Sequence, residues 1–283
     1  PQNITSTTWV STERDYKAPG ESTAVENTTT MNVYDTNGLS SGFLTQNGQN
    51  KLRLAGESYA IIDCTPFKTA PGGVGGNWGD IGFSFSITFK TDKHPFSDRT
   101  VFFIGDYSST DENELIQGIK VGLEEIIWKY KDGSLTKTLS CRIQQNVINC
   151  VDFVLQKTEG ETYFNVETGK YEDTESWIAK IFINGVLNAA AELTNTLNWQ
   201  SNSNIYLACD VNPDGRKRNF ADVEIYNVKL FRGPLNDKEI VINSMNSRAK
   251  ANLDENGVVK FTEYNTWKNR NFFPPTTGVP SVD

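Results

Sequence analysis

The stretch that decides the fold is "FADVEIYNVKLFRGPLNDKEIVINSM", residues 220–245. Its first half alternates apolar and polar side chains, which is typical of a strand with one buried face. Gly233-Pro234 ends that strand, and Asn236 with Glu239 three residues later predicts a capping box at the start of a helix. The apolar stripe expected for this helix consists of Ile240, Val241 and Met245. The stretch therefore predicts a closing strand, a turn and one short helix that docks on a sheet.

The same period of two runs through the chain upstream. In "GFSFSITFKT", residues 82–91, four apolar side chains alternate with three hydroxyls and a lysine, so we expect one buried face and one wet face. Asn184-Gly185 and Asp214-Gly215 are hairpin signals. Further strand-like runs lie at 58–63, 100–106, 118–123, 125–130, 137–143, 147–156, 176–187, 204–210 and 221–231. Many short strands and one helix predict an all-β antiparallel β-sandwich with one short C-terminal helix.

The amino-acid composition limits the kinds of partner and metal site that we expect for this chain. The formal charge is -8 over 283 residues, and a nucleic-acid grip needs clustered Lys and Arg, so no nucleic-acid partner is expected. No apolar run approaches the roughly 20 residues of a membrane span, so no membrane insertion is expected. With four cysteines in no CxxC pair and a single histidine, a zinc site is disfavoured. We favour free thiols, while disulfides stay open.

The flanks differ from the middle of the chain. Residues 1–40 are rich in Thr, Ser and Asn and are interpreted as an extended lead-in or linker, with one strand at "MNVYD". Residues 248–283 are Pro-punctuated and are interpreted as an extension or linker. The compact domain is predicted at 41–247. Because the chain opens at Pro1, we expect a processed product or a piece of a longer polypeptide.

The C-terminal stretch and several upstream strands together resemble a known protein family. The ending is similar to the last strand, turn and helix of laminin-G-like domains of the concanavalin A-like jelly-roll superfamily. The positions that carry the resemblance are Asp222, Val223, Ile225, Tyr226, Asn227, Leu235, Asp237, Glu239 and Ile240, with "LRLAGESYAIID", "FSFSITFKT" and "AKIFINGVL" upstream. "AIIDCTPF", "ITFKT" and "IFINGVL" also resemble domains of bacteriophage virion or tail proteins. The resemblance implies an extracellular or virion-surface protein.

One short motif suggests a metal. "DVNPDG", residues 210–215, matches the first half of a calcium loop, and Asp210, Asn212 and Asp214 would supply oxygen ligands. Ala221 stands where the loop's twelfth residue should be an acid, and also where related jelly rolls often carry a calcium carboxylate. The alternative is an ordinary Asp-Gly turn. No cofactor is required, and calcium is the candidate ion.

Aromatic residues in polar, turn-rich segments are candidates for a sugar platform. Trp78 lies in "GGVGGNWGD", Trp199 lies in "TLNWQSNSN", and Tyr107 follows "FFIGD". The alternative is that each ring packs beneath its own loop. Trp128 and Trp177 lie in strand-like runs and are predicted to be core residues.

No catalytic residues are predicted. The superfamily's glycan-active enzymes place paired carboxylates on one strand, and no candidate strand has that spacing. The sequence leaves three possible functions. The first is a non-catalytic recognition or adhesion module for a glycan or a cell-surface receptor. The second is an architectural domain that contacts neighbouring virion proteins, and the third is a glycan hydrolase or lyase.

Overall fold

Two antiparallel sheets build the protein, as the computed structural model shows. It describes residues 7–10, 28–34, 42–46, 49–62, 82–95, 98–132, 135–158, 162–173, 176–193, 204–231 and 233–251. The eight-stranded sheet contains, in spatial order, β1 (Thr7–Val10), β2 (Thr28–Tyr34), β5 (Tyr59–Ile62), β16 (Ile205–Leu207), β7 (Thr100–Tyr107), β8 (Leu115–Gly122), β9 (Glu125–Asp132) and β10 (Leu135–Arg142).

The seven-stranded sheet faces it. In spatial order it contains β15 (Val186–Leu193), β14 (Ser176–Ile183), β11 (Ile148–Thr158), β6 (Phe83–Thr91), β19 (Val223–Phe231), β4 (Gln49–Leu54) and β3 (Gly42–Gln46). The strand pairs within both sheets are antiparallel, so the predicted all-β sandwich is confirmed.

Two small hairpins and a helix complete the described part of the chain. The hairpins are β12 (Thr162–Asn165) with β13 (Lys170–Asp173), and β17 (Asp210–Val211) with β18 (Lys217–Arg218). The helix, α1, spans Asp237–Ala251. Asn236 caps it through its side-chain oxygen, which accepts from the backbone N–H of Lys238 and of Glu239, each at 3.0 Å. Glu239 Oε2 in turn accepts a hydrogen bond from the Asn236 N–H at 2.8 Å, so the predicted capping box is confirmed.

The core lies between the two sheets. Alternation turns every second side chain of each sheet inward, and large aromatic rings meet there from both sides. The Trp128 ring from the eight-stranded sheet lies 5.9 Å from the rings of Phe83 and of Phe153 in the other sheet, measured between centroids. Trp128 and Trp177 are buried, as predicted.

The outer face of the seven-stranded sheet departs from the prediction. We expected the polar face of β6 to be wet, but Ser84, Ser86 and Thr88 are at most 1% exposed. The reason is that α1 and the chain leading into it cover this face. The Leu235 N–H donates to Ser84 Oγ at 2.8 Å, and Asn243 Nδ2 donates to Ser86 Oγ at 2.9 Å.

The apolar stripe predicted for α1 is also different. Of its three residues only Ile240 is fully buried, packed near Val154 and Phe182. The rest of the buried helix face is polar or small, and it consists of Ser244, Ser247, Arg248 and Ala251. The helix can bury hydroxyls because the sheet beneath it is polar as well.

The sheets extend beyond the predicted domain boundaries. Strand β2 lies within the segment interpreted as a lead-in, pairs with β5, and buries Met31 and Val33 at 1% exposure each. Strand β1 in turn pairs with β2. At the other end α1 continues to Ala251, past residue 247. The strand predicted at "MNVYD" is confirmed by β2, whereas β1 was not predicted, since a short threonine-containing strand shows little period of two in the sequence.

Turns and thiols match their predictions where they are described. Asn184 and Gly185 both have positive φ, 56° and 81°, in the turn between β14 and β15, as a two-residue hairpin requires. Gly215 has a φ of 84° in the turn between β17 and β18. The cysteines described as free thiols are Cys141, Cys150 and Cys209, and Cys64 lies outside the described residues.

Candidate functional site

The two outer faces of the sandwich differ. The helix covers that of the seven-stranded sheet, whereas the outer face of the eight-stranded sheet carries aromatic and charged side chains. Alternation points Tyr34, Tyr59, Tyr206 and Phe103 to this outer side, because their strand neighbours belong to the core. Tyr107 and Asp210, two of the four sequence-predicted site residues that the structure describes, lie on this face.

Asp210 is the centre of this face. It begins β17 and its side chain is 0% exposed. One carboxylate oxygen, Oδ2, accepts from Thr100 Oγ1 and from the Tyr107 hydroxyl, each at 2.9 Å. Asn219 Nδ2 donates to the same oxygen at 3.0 Å. We call Asp210 and the five side chains bound to it the Asp210 network; those five are Thr100, Tyr107, Lys120, Arg218 and Asn219.

Two cations neutralise the buried carboxylate. Lys120 Nζ lies 3.2 Å from Oδ2, and Arg218 Nε donates to Oδ1 at 3.1 Å. Burial alone would raise the pKa of Asp210. The Lys120 charge and the hydrogen bonds from Asn219, Thr100 and Tyr107 outweigh burial and hold the pKa below its usual value. Asp210 is therefore ionised and fully partnered, which is the state of a structural carboxylate.

Tyr107 is the last residue of β7, and this strand fixes its position. Its ring stacks on that of Phe103, with centroids 5.1 Å apart and planes 6° apart. Gly105 stands between the two residues on the same face and has no side chain, so the rings can meet over it. A Cβ on Gly105, where φ is 155°, would lie 2.3 Å from the Gln117 carbonyl oxygen. The sequence proposed the Tyr107 ring as a sugar platform, and the structure places it at 7% exposure beneath Arg218.

Arg218 fastens two surface segments to each other. Its guanidinium lies over the Tyr107 ring, 4.7 Å from the centroid, and its Nη1 donates to Asn113 Oδ1 at 3.2 Å. Nη2 donates to the Glu112 carbonyl. Because Nε holds Asp210 as well, one side chain joins the 108–114 loop to the β17–β18 hairpin. Burial and the Asp210 charge raise the pKa of the Tyr107 hydroxyl, so it stays a donor to Asp210.

Other groups of the protein hold the two proposed calcium carboxylates, Asp210 and Asp214, whereas Asn212 Oδ1 is buried without a hydrogen-bond partner among the described residues. Asp210 is held by its network, Asn212 Nδ2 donates to Glu112 Oε2 at 2.8 Å, and Asp214 pairs with Arg216 at 2.8 Å. Within the described residues, no group of three His, Cys, Asp or Glu side chains is arranged to hold a metal ion. The three side chains do not fit calcium as they are arranged, because an ion would have to displace Lys120 and Arg218 from Asp210.

A line of aromatic rings continues across the same face. We call Tyr34, Tyr59, Phe220 and Tyr206 the aromatic row. Tyr34 on β2 and its cross-strand partner Tyr59 on β5 stack with centroids 4.8 Å apart, and Phe220 lies 6.1 Å from Tyr59. Tyr206 lies 6.3 Å from Phe103, whose ring stacks on that of Tyr107 in the Asp210 network. The row was not predicted, although Tyr34 and Tyr59 stand at outward positions of strands "MNVY" and "YAII".

The other two aromatic candidates, Trp78 and Trp199, lie outside the described residues.

No catalytic residue was predicted. Among the described carboxylates, burial raises the pKa of Asp152 to about 6, near the range of a general acid, but its side chain is 0% exposed beneath α1. No substrate reaches that group in this arrangement.

Among the described residues, no helix is long and apolar enough to cross a membrane.

Comparison with known proteins gives a fold and no family. No protein-family model and no curated protein matches the chain. A solved botulinum neurotoxin serotype G binding domain is similar, with a TM-score of 0.51, 17% identity, and coverage of 80% of this chain and 48% of that one. At that identity the likeness concerns the fold alone.

Two further solved structures show lower similarity. A botulinum neurotoxin type G receptor-binding domain has a TM-score of 0.47, 14% identity, and coverage of 82% of this chain and 49% of its own. The binding domain of botulinum neurotoxin DC in complex with rat synaptotagmin II has a TM-score of 0.45, 15% identity, and coverage of 78% and 47%. This chain spans about half the length of the structures it matches.

Proposed function

We propose that this chain is a non-catalytic recognition module that binds a glycan or a receptor surface through the outer face of the eight-stranded sheet. The observation that carries the proposal is the Asp210 network. It fixes the 108–114 loop and the β17–β18 hairpin beside a partly exposed aromatic face. A surface ordered before binding loses less entropy when it meets a ligand.

The network supports binding better than chemistry. The Asp210 carboxylate has its lone pairs occupied and carries no proton to transfer. Its two cations are committed to it as well. The serotype G domain, which has the same fold, is a binding domain in its own protein, and this agrees with the proposal without indicating a ligand.

The wider setting is also a proposal. The sequence resemblance to laminin-G-like domains and to virion proteins supports a place within a larger extracellular or virion protein. This resemblance rests on the sequences of a few strands. In a larger protein of that kind, the chain would present the outer face of its eight-stranded sheet to its ligand.

A glycan array probed with the whole chain tests the proposal. We expect a restricted set of retained glycans, and weaker retention for Arg218→Met, because the two surface segments lose their joint anchor. The matched control is Arg216→Met, since Arg216 neighbours the same hairpin turn but is 72% exposed and forms its ion pair with the exposed Asp214. An array with no retained glycan, together with no binding to cell surfaces, would overturn the proposal.

A second candidate function is architectural, and one observation favours it. The β12–β13 hairpin exposes Phe164, Val166 and Tyr171 at 51%, 84% and 76%. A two-stranded hairpin with bare apolar side chains is marginally stable and suits a contact with a neighbouring protein. Protection of the backbone amides of this hairpin from hydrogen exchange in the native assembly, relative to the isolated chain, would support this function over recognition by the outer face.

A further inference from the structure

The aromatic row is made from separate parts of the chain that lie on one face of the sheet. Tyr34, Tyr59 and Tyr206 come from three neighbouring strands, β2, β5 and β16. Phe220 follows the β17–β18 hairpin and meets Tyr59 at 6.1 Å. Tyr34 is 39% exposed, and the other three rings are partly exposed.

The rings have fixed orientations. The antiparallel register places Tyr34 directly opposite Tyr59, and their planes lie within 14° of each other. The Tyr206 ring lies 6.3 Å from that of Phe103, and Lys217 Nζ lies over the Tyr206 ring, 5.9 Å from its centroid. Side chains with two rotatable bonds, already stacked, lose little freedom when a ligand arrives.

We propose that the aromatic row is a stacking subsite for the apolar face of a pyranose ring. This inference rests on the proposed function and makes it specific, since it names the sugar ring as the ligand and the tyrosines as the contact. The axial C–H groups of a pyranose form an apolar surface of about the size of one or two tyrosine rings, and the equatorial hydroxyls point outward to polar partners.

The size of the row favours a sugar over a protein. Rings of about 200 Å² each, mostly buried, leave on the order of 250 Å² exposed in total. A standard protein interface needs roughly 800 Å² from each partner. The row is therefore too small to hold a second protein alone, and it matches a ligand of one or two sugar units.

The polar groups at the row suit hydroxyls. Three of the four rings are tyrosines, whose phenolic groups both donate and accept hydrogen bonds. The Lys217 ammonium donates to the Gly215 carbonyl at 2.8 Å and has further hydrogen atoms for a ligand oxygen. Apolar faces bordered by a few oriented donors are the usual composition of a small-ligand site.

The test is saturation-transfer NMR on the whole chain with a panel of methyl pyranosides of glucose, galactose and N-acetylglucosamine. We expect saturation on the ring C–H protons of one sugar face. The signal should fall about fivefold or more in Tyr34→Ala, the most exposed ring. Tyr59→Phe keeps the ring and should keep the signal. The matched control is Tyr171→Ala, an exposed tyrosine on β13 that is 76% exposed and outside the row.

Melting curves establish that each variant folds. A second measurement avoids substitution altogether, because ¹³C-labelled tyrosine rings of the unaltered chain should shift when a pyranoside is added. Equal saturation in Tyr34→Ala and in the unaltered chain would overturn the inference, and so would a panel that gives no saturation. If the glycan array still retains ligands, the inference fails alone; if the array is empty too, the proposed function fails with it.

Discussion

At the scale of single residues, Asp210 shows how neighbours decide the role of a carboxylate. Its spacing with Asn212 and Asp214 suggested a calcium loop. In the structure, Lys120 and Arg218 supply the positive charge that a metal would have supplied. Lys120 and Tyr107 come from β8 and β7, far away in the sequence, so no local motif could reveal them. Through Arg218, the Asp210 carboxylate helps to anchor two surface segments.

Asp210→Asn should destabilise the fold by about 3 kcal/mol, because Lys120 and Arg218 then face each other without the buried carboxylate between them. Urea unfolding at pH 7 measures the loss. The control is Asp214→Asn, which removes an exposed carboxylate of the same hairpin and should change little. Equal effects of the two variants would contradict the structural role of Asp210.

The Asp210 contribution has a defined pH dependence. Its pKa in the folded chain is lowered, so the stabilisation is fully present above the unfolded value of 3.8. It is lost as the pH falls through the lower, folded value. The difference in unfolding free energy between the parent chain and Asp210→Asn should therefore stay constant from pH 8 to 5 and shrink only in more acidic solution.

Calcium at Asp210, Asn212 and Asp214 stays a prediction of the sequence, and one titration decides it. A calcium-dependent rise in melting temperature that disappears in Asp214→Asn would support the ion. From the ion pairs described we expect no shift, because a cation would compete with Lys120 and Arg218 for the same oxygens.

At the scale of elements, α1 docks on the sheet mainly through polar contacts. Asn243 Nδ2 donates to the buried Asp152 at 2.8 Å, while its Oδ1 accepts from Lys229 Nζ at 2.6 Å. Lys229 also donates to Ser247 Oγ at 2.9 Å. Burial lowers the pKa of Lys229 and raises that of Asp152. The helix is therefore docked by a hydrogen-bonded layer whose carboxylate is costly to ionise.

This layer predicts a pH-dependent stability. The folded pKa of Asp152 is about 6, above the ordinary value of 3.8, so the native chain gains stability as the pH falls through 6 and loses it as the pH rises. Unfolding free energy should drop by about 1–2 kcal/mol from pH 5 to 7.5. The groups that face Asp152 are Ser86 on β6, Asn243 on α1, Cys150 on β11 and Lys229 on β19.

Asp152→Asn isolates the effect, because it keeps the shape and removes the titration. Its unfolding free energy should be nearly flat over the same pH range, while that of Asp237→Asn, an exposed carboxylate of the same helix, should follow the parent chain. Parallel pH profiles for the parent and Asp152→Asn would contradict this account of helix docking.

Elements and networks differed in how well the sequence predicted them. The long strands and the helix cap were predictable because each depends on residues a few positions apart, as in β6 and at Asn236. The polar side of β6 was misjudged, because the helix that covers Ser84 and Ser86 lies some 150 positions later, and that contact is absent from any local window. The Asp210 network and the aromatic row combine separate strands and were missed for the same reason.

At the scale of the whole molecule, the sandwich is asymmetric. One outer face is covered by α1, and the other carries the aromatic row beside an ordered rim. This asymmetry is the physical basis for assigning recognition to the outer face of the eight-stranded sheet.

The central claim is that the chain binds a glycan without transforming it. The most direct measurement incubates the whole chain with a mixed glycan panel, then records by mass spectrometry which glycans are retained and whether their masses have changed. We predict that a few pyranose-containing glycans are retained and recovered intact. A panel that passes through without retention, or a retained glycan that is recovered cleaved, would contradict the account.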